Sequence, residues 1–165
     1  MYWYDFLQTK HGWIGILGSI KGIRRVTLPV PTKSEALRSF GNEAQQAAFA
    51  PKSWQCLEKP LKALLRGEPA STEPTLDLHG VPLFTKAAWE ACRGIPPGET
   101  RSYKWLAAAA GNARAVRAAG QAMARNRFPL IIPCHRVIAS SGALHGYGGG
   151  LSLKAMLLAA ERKRG

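Results

Sequence analysis

The spacing of apolar and polar residues divides the chain into a strand-rich first part and a helical second part. Apolar or aromatic runs, each ended by glycine or proline, occupy residues 2–8, 13–17 and 23–28. Short runs separated by turn residues predict three strands in an antiparallel meander. Stretches rich in Ala, Gln and Glu then predict two helices, one over residues 34–49 with Ser34 as its N-cap and one over residues 53–65.

Residues 67–82 are rich in Pro, Gly, Ser, Thr and Glu, a composition typical of a linker. This stretch predicts a boundary between a structural first domain, residues 1–78, and a second domain, residues 79–165. No residue of the first domain is predicted to belong to a functional site, and its lone His11 and Cys56 are interpreted as structural.

Helical periodicity predicts one helix at each end of the second domain. An i, i+4, i+5, i+8 apolar pattern predicts a helix over residues 84–92 and places Cys92 in the core. An i, i+3, i+4, i+7 stripe predicts a last helix, capped by Ser152, whose core-facing residues are Leu153, Met156, Leu157 and Ala160.

Two further helices between these ends have the outline of a helix-turn-helix. Ser102 is predicted to cap a helix over residues 103–110, Gly111-Asn112 breaks it, and a second helix follows over residues 113–125. The second helix has a small apolar stripe, while another side carries Arg114, Arg117, Gln121 and Arg125. That side is either a solvated basic face or the face of a slim helix that enters a nucleic-acid groove.

Charge favours the groove-binding interpretation. The chain has 165 residues, a formal net charge of +13 and a pI near 10.2. So large an excess favours a polyanionic partner, with nucleic acid ahead of an anionic membrane surface. A hydrophobic content of 46% is enough for one or two small cores.

Cysteine usage and the absence of targeting signals bear on location. The three cysteines are widely spaced and form no C-x-x-C, which excludes a disulfide framework and a zinc ribbon and suits a reducing cytosol. No signal peptide is visible, and no apolar run approaches the roughly 18 residues that span a membrane. We therefore expect a soluble, cytoplasmic protein.

The residues most able to form a reactive site are in the segment Pro133-Cys134-His135-Arg136. The apolar run over residues 129–132 predicts a short buried strand that ends at Pro133, which leaves Cys134 and His135 in a turn. Cys134 is then either a small buried hydrophobe or a reactive thiolate, and the second interpretation needs a nearby base or positive charge. His135 and Arg136 supply candidates next to it in the sequence.

Glu161 lies at the edge of the last helix's apolar stripe, where a carboxylate needs a hydrogen-bonded or charged partner. The partner is either an arginine in a salt bridge or His135, which the carboxylate would then orient. Residues 146–150 contain four glycines around Tyr147, so this stretch is either a mobile loop or a place where backbone and an aromatic ring approach a ligand.

These residues together carry a resemblance to a known family. The active-site signature of the O6-alkylguanine-DNA alkyltransferases resembles the string Asn126-Arg127-Phe128-Pro129-Leu130-Ile131-Ile132-Pro133-Cys134-His135-Arg136-Val137. Further matches in the same order cover residues 84–89, 95–103, 111–112, 142–149 and 154–161. The resemblance covers about half of the chain. It implies an α/β (α+β) fold with a ribonuclease-H-like first domain, built on a small antiparallel sheet, and a winged-helix-like second domain.

The resemblance also implies catalytic roles. Cys134 would accept the alkyl group as a thioether, and His135 would act as its base through a bound water while Glu161 fixes the imidazole. Tyr103 would help rotate the nucleotide out of the duplex and donate a proton toward the departing guanine. Asn126 would tie the recognition helix to the active-site turn.

Two more sets of residues follow from the resemblance. DNA would be bound in its minor groove by Tyr103, by Arg117 inserted where the base had been, and by Asn112, Ser140, Arg114 and Gln121. The substrate pocket would be lined by Met123, Pro129, Val137, Tyr147, Gly148 and Gly149.

The implied function is direct DNA repair. The protein would transfer the alkyl group of O6-alkylguanine in double-stranded DNA irreversibly to Cys134 after base flipping, once per molecule, with O4-alkylthymine left open. No cofactor is implied, and the first domain lacks a Cys/His cluster, so we expect no metal. We expect a monomer, in the cytoplasm and with the nucleoid if the source is prokaryotic.

Two other functions are compared with repair, and one of them stays open. The first is a non-catalytic lesion-binding or regulatory helix-turn-helix protein in which Cys134 is merely buried. A zinc-dependent base deaminase is excluded, because Val137 stands where a second cysteine ligand should be and no H-x-E is present.

Overall fold

The computed structural model describes residues 1–144 and 146–164, which form a mixed α+β structure. Its strands are β1 (Tyr2–Thr9), β2 (Gly12–Ser19), β3 (Gly22–Val26), β4 (Ala47–Phe49), β5 (Arg101–Ser102) and β6 (Val137–Ile138). Its α-helices are α1 (Lys33–Arg38), α2 (Glu58–Leu65), α3 (Leu83–Arg93), α4 (Tyr103–Ala109), α5 (Val116–Ala124) and α6 (Leu151–Arg162). The α+β class expected from the sequence is confirmed at this level.

A four-stranded sheet forms the first part of the molecule, in the order β3-β2-β1-β4. The first three strands are antiparallel, so the predicted meander is confirmed. The strand β4 is parallel to β1 and was not predicted. Ile14, Ile16 and Leu17 of β2 are fully buried on both faces of the sheet, because β2 is an inner strand.

The helix predicted over residues 34–49 is confirmed only at its start, as α1, and is wrong beyond residue 38. The helix α1 is capped by Thr32, whose Oγ1 accepts a hydrogen bond from the Glu35 amide at 3.1 Å, and not by Ser34. Gly41 then adopts a φ of +59°, a 3-10 turn follows over Gly41–Gln46, and the chain continues as β4. Pairing with β1 decides the conformation there against a strong local helix propensity. The next predicted helix is shorter than expected, since a 3-10 turn over Gln55–Leu57 precedes α2.

The predicted linker follows the edge of the sheet. The Ile23 amide donates to the Thr75 carbonyl at 2.9 Å, and the Asp77 amide donates to the Ile23 carbonyl at 2.6 Å. Buried residues of both halves belong to one hydrophobic cluster, which includes Ile16, Trp89 and Leu157. The two halves of the chain therefore pack on each other through a shared core.

The helix-turn-helix outline is present in α4 and α5. The predicted cap of α4 is confirmed, because Ser102 Oγ accepts a hydrogen bond from the Trp105 amide at 3.0 Å. The helix α5 starts at Val116 and not at residue 113, after a turn in which the Ala115 amide donates to the Asn112 carbonyl.

Two local predictions around the active-site signature are corrected. Residues 129–132 form turns and not a strand, and Leu130 has a φ of +74°. The strand of this region, β6, comes after Cys134 and pairs in parallel with β5. The helix α6 begins at Leu151 behind Gly150, whose φ is +88°, so Ser152 is inside the helix and is not its N-cap.

Candidate active site

Cys134, His135 and Arg136 form a 3-10 turn, as the expected turn at this position requires. All three side chains are buried: Cys134 is 8% exposed, His135 2% and Arg136 6%. The turn is bounded by Pro133, which cannot extend a hydrogen-bonded ladder, and by β6. A thiol, an imidazole and a guanidinium group are thereby held close together inside the molecule.

Glu161 of α6 binds both of the partners considered for it. Its Oε1 lies 2.7 Å from His135 Nε2, and Arg136 donates to the same carboxylate from Nη2 at 2.8 Å and from Nε at 3.1 Å. Arg136 also donates from Nη1 to the Ile95 carbonyl at 2.6 Å. The carboxylate is 3% exposed, so the inward orientation inferred for Glu161 from the sequence is confirmed.

The surroundings of this network decide its charges. Burial opposes ionisation of Glu161, but hydrogen bonds and positive charge from His135 and Arg136 outweigh burial and lower the pKa of Glu161 to about 2. Burial lowers the pKa of His135 despite its bond to Glu161, so the imidazole is neutral at pH 7. The carboxylate at Nε2 fixes the proton there, which leaves Nδ1 as an acceptor. This atom is buried and has no hydrogen-bond partner among the described residues.

Burial raises the pKa of Cys134, although a hydrogen bond from Asn126 and the charge of Lys154 act in the opposite direction. The sulfur is therefore a thiol in the resting protein. A thiolate forms here only when a base removes the proton, and neutral His135 is the neighbouring group able to accept one.

Asn126 links the end of α5 to the active-site turn. Its Nδ2 donates to the Ile132 carbonyl at 2.8 Å, and its Oδ1 accepts from the Phe128 amide at 2.9 Å. These bonds hold the turns of residues 126–132 together, directly before Cys134. The position agrees with the tie between recognition helix and site that the resemblance implies.

Cys134 lines a cavity of about 580 Å³. The second half of the chain contributes to its wall Tyr103, Gly120, Met123, Ala124, Asn126, Arg127, Pro129, Cys134, Gly146, Tyr147, Gly148 and Gly149. The first half contributes Arg25, Val26, Thr27, Leu28, Pro29, Val30, Ser39 and Phe40. Five of the six predicted pocket residues are thus brought together.

Val137 is the exception among the predicted pocket residues. It is completely buried in β6, where it pairs with Arg101, and it is not part of the cavity wall. Its carbonyl accepts a hydrogen bond from Lys154 Nζ at 2.9 Å. The residue supports the site from the core, because strand pairing directs it away from the cavity.

Two tyrosines border the cavity. Tyr103 starts α4, and its ring approaches Gly120 of α5, where a methyl group would lie 3.9 Å from Cδ1. Burial raises the pKa of Tyr103, so its hydroxyl keeps its proton at neutral pH and can donate it. The Tyr147 hydroxyl is buried, with no hydrogen-bond partner among the described residues.

Five of the six residues predicted to bind DNA are exposed, and the sixth, Tyr103, is half-buried. Asn112, Arg114, Arg117 and Gln121 lie on α5 or in the turn before it, and Ser140 follows β6. Arg117 and Gln121 are four residues apart on α5 and share one face. Residues 79–165 contain 13 Lys and Arg against 3 Asp and Glu, a formal charge of +10, whereas residues 1–78 contain 10 against 7, a charge of +3. Most of the positive charge is therefore on the half that carries these side chains.

Comparison with known proteins adds to this geometry. The family model for the DNA-binding domain of 6-O-methylguanine DNA methyltransferase matches residues 83–163. A methylated-DNA–protein-cysteine methyltransferase of Methanosarcina barkeri is 35% identical over 166 residues, which cover 96% of this chain and 96% of that protein. The chain belongs to the methylated-DNA–protein-cysteine methyltransferase family. The resemblance found in the sequence is confirmed.

Solved structures of the family have the same fold. The O6-methylguanine methyltransferase of Mycobacterium tuberculosis matches with a TM-score of 0.83 and 32% identity, over 100% of this chain and 95% of that chain. The structure of OGT from the same organism in complex with DNA matches with a TM-score of 0.81, over 98% of this chain and 93% of that chain. In the part of this family member that the structure describes, no helix is long and apolar enough to cross a membrane.

Sequence reasoning missed three features of this methyltransferase-family site. The sequence does not indicate which arginine pairs with Glu161, because the bonds of Arg136 to Glu161 and to the Ile95 carbonyl depend on contacts across the fold. Lys154 is 1% exposed and sits on the polar flank of a helical stripe, which gave no sign of its burial. The cavity wall from the first half had no local signal at all, because its residues, from the end of β3, the segment after it and the end of α1, form no recognisable motif.

Proposed function

We propose that this protein repairs alkylated DNA directly, by moving the alkyl group of O6-alkylguanine to Cys134. The observation that carries the proposal is a buried thiol on the wall of a cavity, next to a neutral imidazole that is oriented by an ionised carboxylate. This is the order of a nucleophile, a base and an orienting group. The names of the relatives describe the same activity.

The proposed reaction is one displacement. His135 Nδ1 takes the Cys134 proton through a water molecule, and the sulfur attacks the carbon bonded to O6 of guanine. The sulfur–carbon bond forms as the carbon–oxygen bond breaks, and the electron pair of that bond goes to the guanine. Tyr103, whose hydroxyl is protonated at neutral pH, donates a proton to the departing base. A thioether is not hydrolysed, so each molecule acts once and needs no cofactor.

DNA binding is the second part of the proposal. The target base must leave the duplex to reach a cavity of this kind. The helix α5, with small residues on much of its surface, enters the minor groove, and Arg117 fills the space of the flipped base. Asn112, Arg114, Gln121 and Ser140 bind the neighbouring phosphates and sugars.

We also propose the finer architecture and location that the resemblance implies. The sheet with α1 and α2 is a ribonuclease-H-like domain over residues 1–78, and residues 79–165 are a winged-helix-like domain. The protein works as a monomer on double-stranded DNA. Its substrate places it in the cytoplasm, with the nucleoid if its source is prokaryotic.

The decisive experiment uses duplex DNA with a labelled methyl group on O6 of a single guanine. The label should move to the protein, and the peptide that contains Cys134 should gain the mass of one methyl group. Cys134→Ala should transfer no label and keep its affinity for the same duplex. Retained binding without transfer by the wild-type protein would contradict repair and would support a lesion-binding role, whereas transfer by Cys134→Ala would identify a different nucleophile.

A further inference from the structure

The cavity at Cys134 is larger than a flipped base with a methyl group needs. Its volume of about 580 Å³ lies within the range of roughly 300–1,000 Å³ that holds drug-sized ligands. Its additional space is bounded by residues 25–30, Ser39 and Phe40 of the first half. A substituent that extends from Cys134 toward this side of the cavity would therefore contact the first half of the chain.

The segment of residues 27–30 forms a rigid part of this wall. Thr27 and Gly15 of β2 exchange two hydrogen bonds, from the Thr27 amide at 2.9 Å and to the Thr27 hydroxyl at 2.8 Å. Val30 and Trp13 of β2 exchange two backbone hydrogen bonds at 2.7 and 3.0 Å. Leu28 lies between these attachments, so its backbone cannot move without breaking bonds to the central sheet.

Leu28 projects toward the active-site loop. The Thr27 hydroxyl points to β2, and the neighbouring residue of an extended chain points the other way. A methyl group at Gly149 would lie 2.9 Å from Leu28 Cδ1, so the glycine backbone is in direct contact with this side chain. The loop and Leu28 thus meet where the wall closes, and both line the cavity that contains Cys134.

We propose that Leu28 is the outer wall of the alkyl pocket and sets the largest O6 substituent that the protein accepts. This inference rests on the proposed repair function. Apolar residues outnumber polar ones in this part of the wall, so the substituents it selects are apolar alkyl or arylmethyl groups. The apolar residues are Val26, Leu28, Pro29, Val30 and Phe40, against Arg25, Thr27 and Ser39. A hydrophobic pocket distinguishes substituents by about 10-fold or more per methylene group.

Transfer rates from two duplexes that differ only in the O6 substituent test the assignment. Leu28→Trp should lower the single-turnover rate with O6-benzylguanine at least about tenfold more than the rate with O6-methylguanine. Leu28→Ala should raise the benzyl-to-methyl ratio. Leu78→Trp is the matched control, because Leu78 is also half-buried against the core but lies outside this cavity's wall, and its ratio should stay that of the wild type.

The outcomes distinguish a failure of the proposed repair function from a failure of the role assigned to Leu28. No methyl transfer by the wild-type protein would contradict the repair function itself. Normal methyl transfer with an unchanged benzyl-to-methyl ratio in both Leu28 variants would overturn the assignment of Leu28 and leave repair intact. Thermal unfolding shows whether each variant is folded, and if the tryptophan variant is not, the ratio of Leu28→Ala alone decides.

Discussion

Cys134 and His135 are neighbours in one buried turn, and burial shifts their pKa values in opposite directions. The thiol holds its proton more tightly than a free cysteine, and the imidazole holds a proton less tightly than a free histidine. Both groups are therefore uncharged at rest, which avoids a buried ion pair until substrate is present. Proton transfer to His135 is then the step that creates the nucleophile.

Removing the base should expose the thiol's own titration. We expect the wild-type transfer rate to be constant around neutral pH and to fall as the pH drops through the lowered pKa of His135. His135→Ala can react only through spontaneous ionisation of Cys134, whose pKa is raised. Its rate should be much lower at pH 7 and rise about tenfold per pH unit up to that pKa. Single-turnover rates across pH measure both profiles.

The exposed His79 supplies the control for this prediction. His79→Ala should keep the wild-type profile, because the side chain is far along the chain from the turn and is in solvent. A His135→Ala variant whose rate did not change with pH would show that His135 is not the base.

The ion pair between Glu161 and Arg136 leads to a second prediction, which concerns the stability of the protein. Glu161→Gln leaves the Arg136 guanidinium buried without its counter-charge, which should lower the free energy of unfolding by about 3–5 kcal/mol. Arg136→Met combined with Glu161→Gln removes both charges and should be more stable than Glu161→Gln alone. Urea unfolding at pH 7 measures the three proteins. A double variant as unstable as the single one would contradict this account of the pair.

Acid should remove the same contribution from the wild-type protein. The folded pKa of Glu161, about 2, is below its ordinary value of 4.5, so the stabilisation is present above the unfolded pKa and is lost as the pH falls toward about 2. The shift corresponds to roughly 3 kcal/mol. Glu161→Gln should lack this part of the acid dependence.

At the scale of elements, local signals predicted the cap of α4 and the turn after it, whereas the caps predicted at Ser34 and Ser152 were wrong. Ser102 was identified as the cap of α4, and the break at Gly111-Asn112 was placed correctly, because both rest on contacts within one turn. The conformations of residues 34–49 and 129–132 were not predicted. Pairing of β4 with β1, and the bonds of Asn126 to the following loop, override local preference there.

The Ser102 cap yields a third prediction, with Thr32 as its matched control. Each side chain accepts one backbone hydrogen bond at a helix start, so Ser102→Ala and Thr32→Ala should each lower the free energy of unfolding by about 1 kcal/mol. Only Ser102→Ala should also slow transfer from duplex DNA, because α4 begins with Tyr103. Equal transfer rates in the two variants would show that the start of α4 does not position Tyr103.

At the scale of the whole molecule, one part of the site was beyond sequence reasoning. The reactive turn and its glutamate were found because residue types and spacing point to their chemistry. The first half was interpreted as purely structural, yet residues 25–30 and Phe40 form a wall of the cavity. Their side chains carry no functional pattern, and only contacts across the fold, such as the hydrogen bond from the Val26 amide to the Arg127 carbonyl and the contact of Leu28 with Gly149, bring them to the cavity of Cys134.

Charge distribution is the other property of the whole molecule, and it carries the last prediction. Four exposed cations, Lys104, Arg114, Arg117 and Arg125, lie on the helix-turn-helix. If each neutralises one phosphate, a plot of log affinity for duplex DNA against log salt concentration should have a slope of about −3 to −4. Arg114→Ala should reduce that slope by about 1, whereas Lys10→Ala, in the turn between β1 and β2, should leave it unchanged.

Reaction of Cys134 with free O6-benzylguanine involves no phosphate, so its rate should not depend on salt. Equal slopes for Arg114→Ala and Lys10→Ala, measured by fluorescence anisotropy, would place the DNA on a different surface.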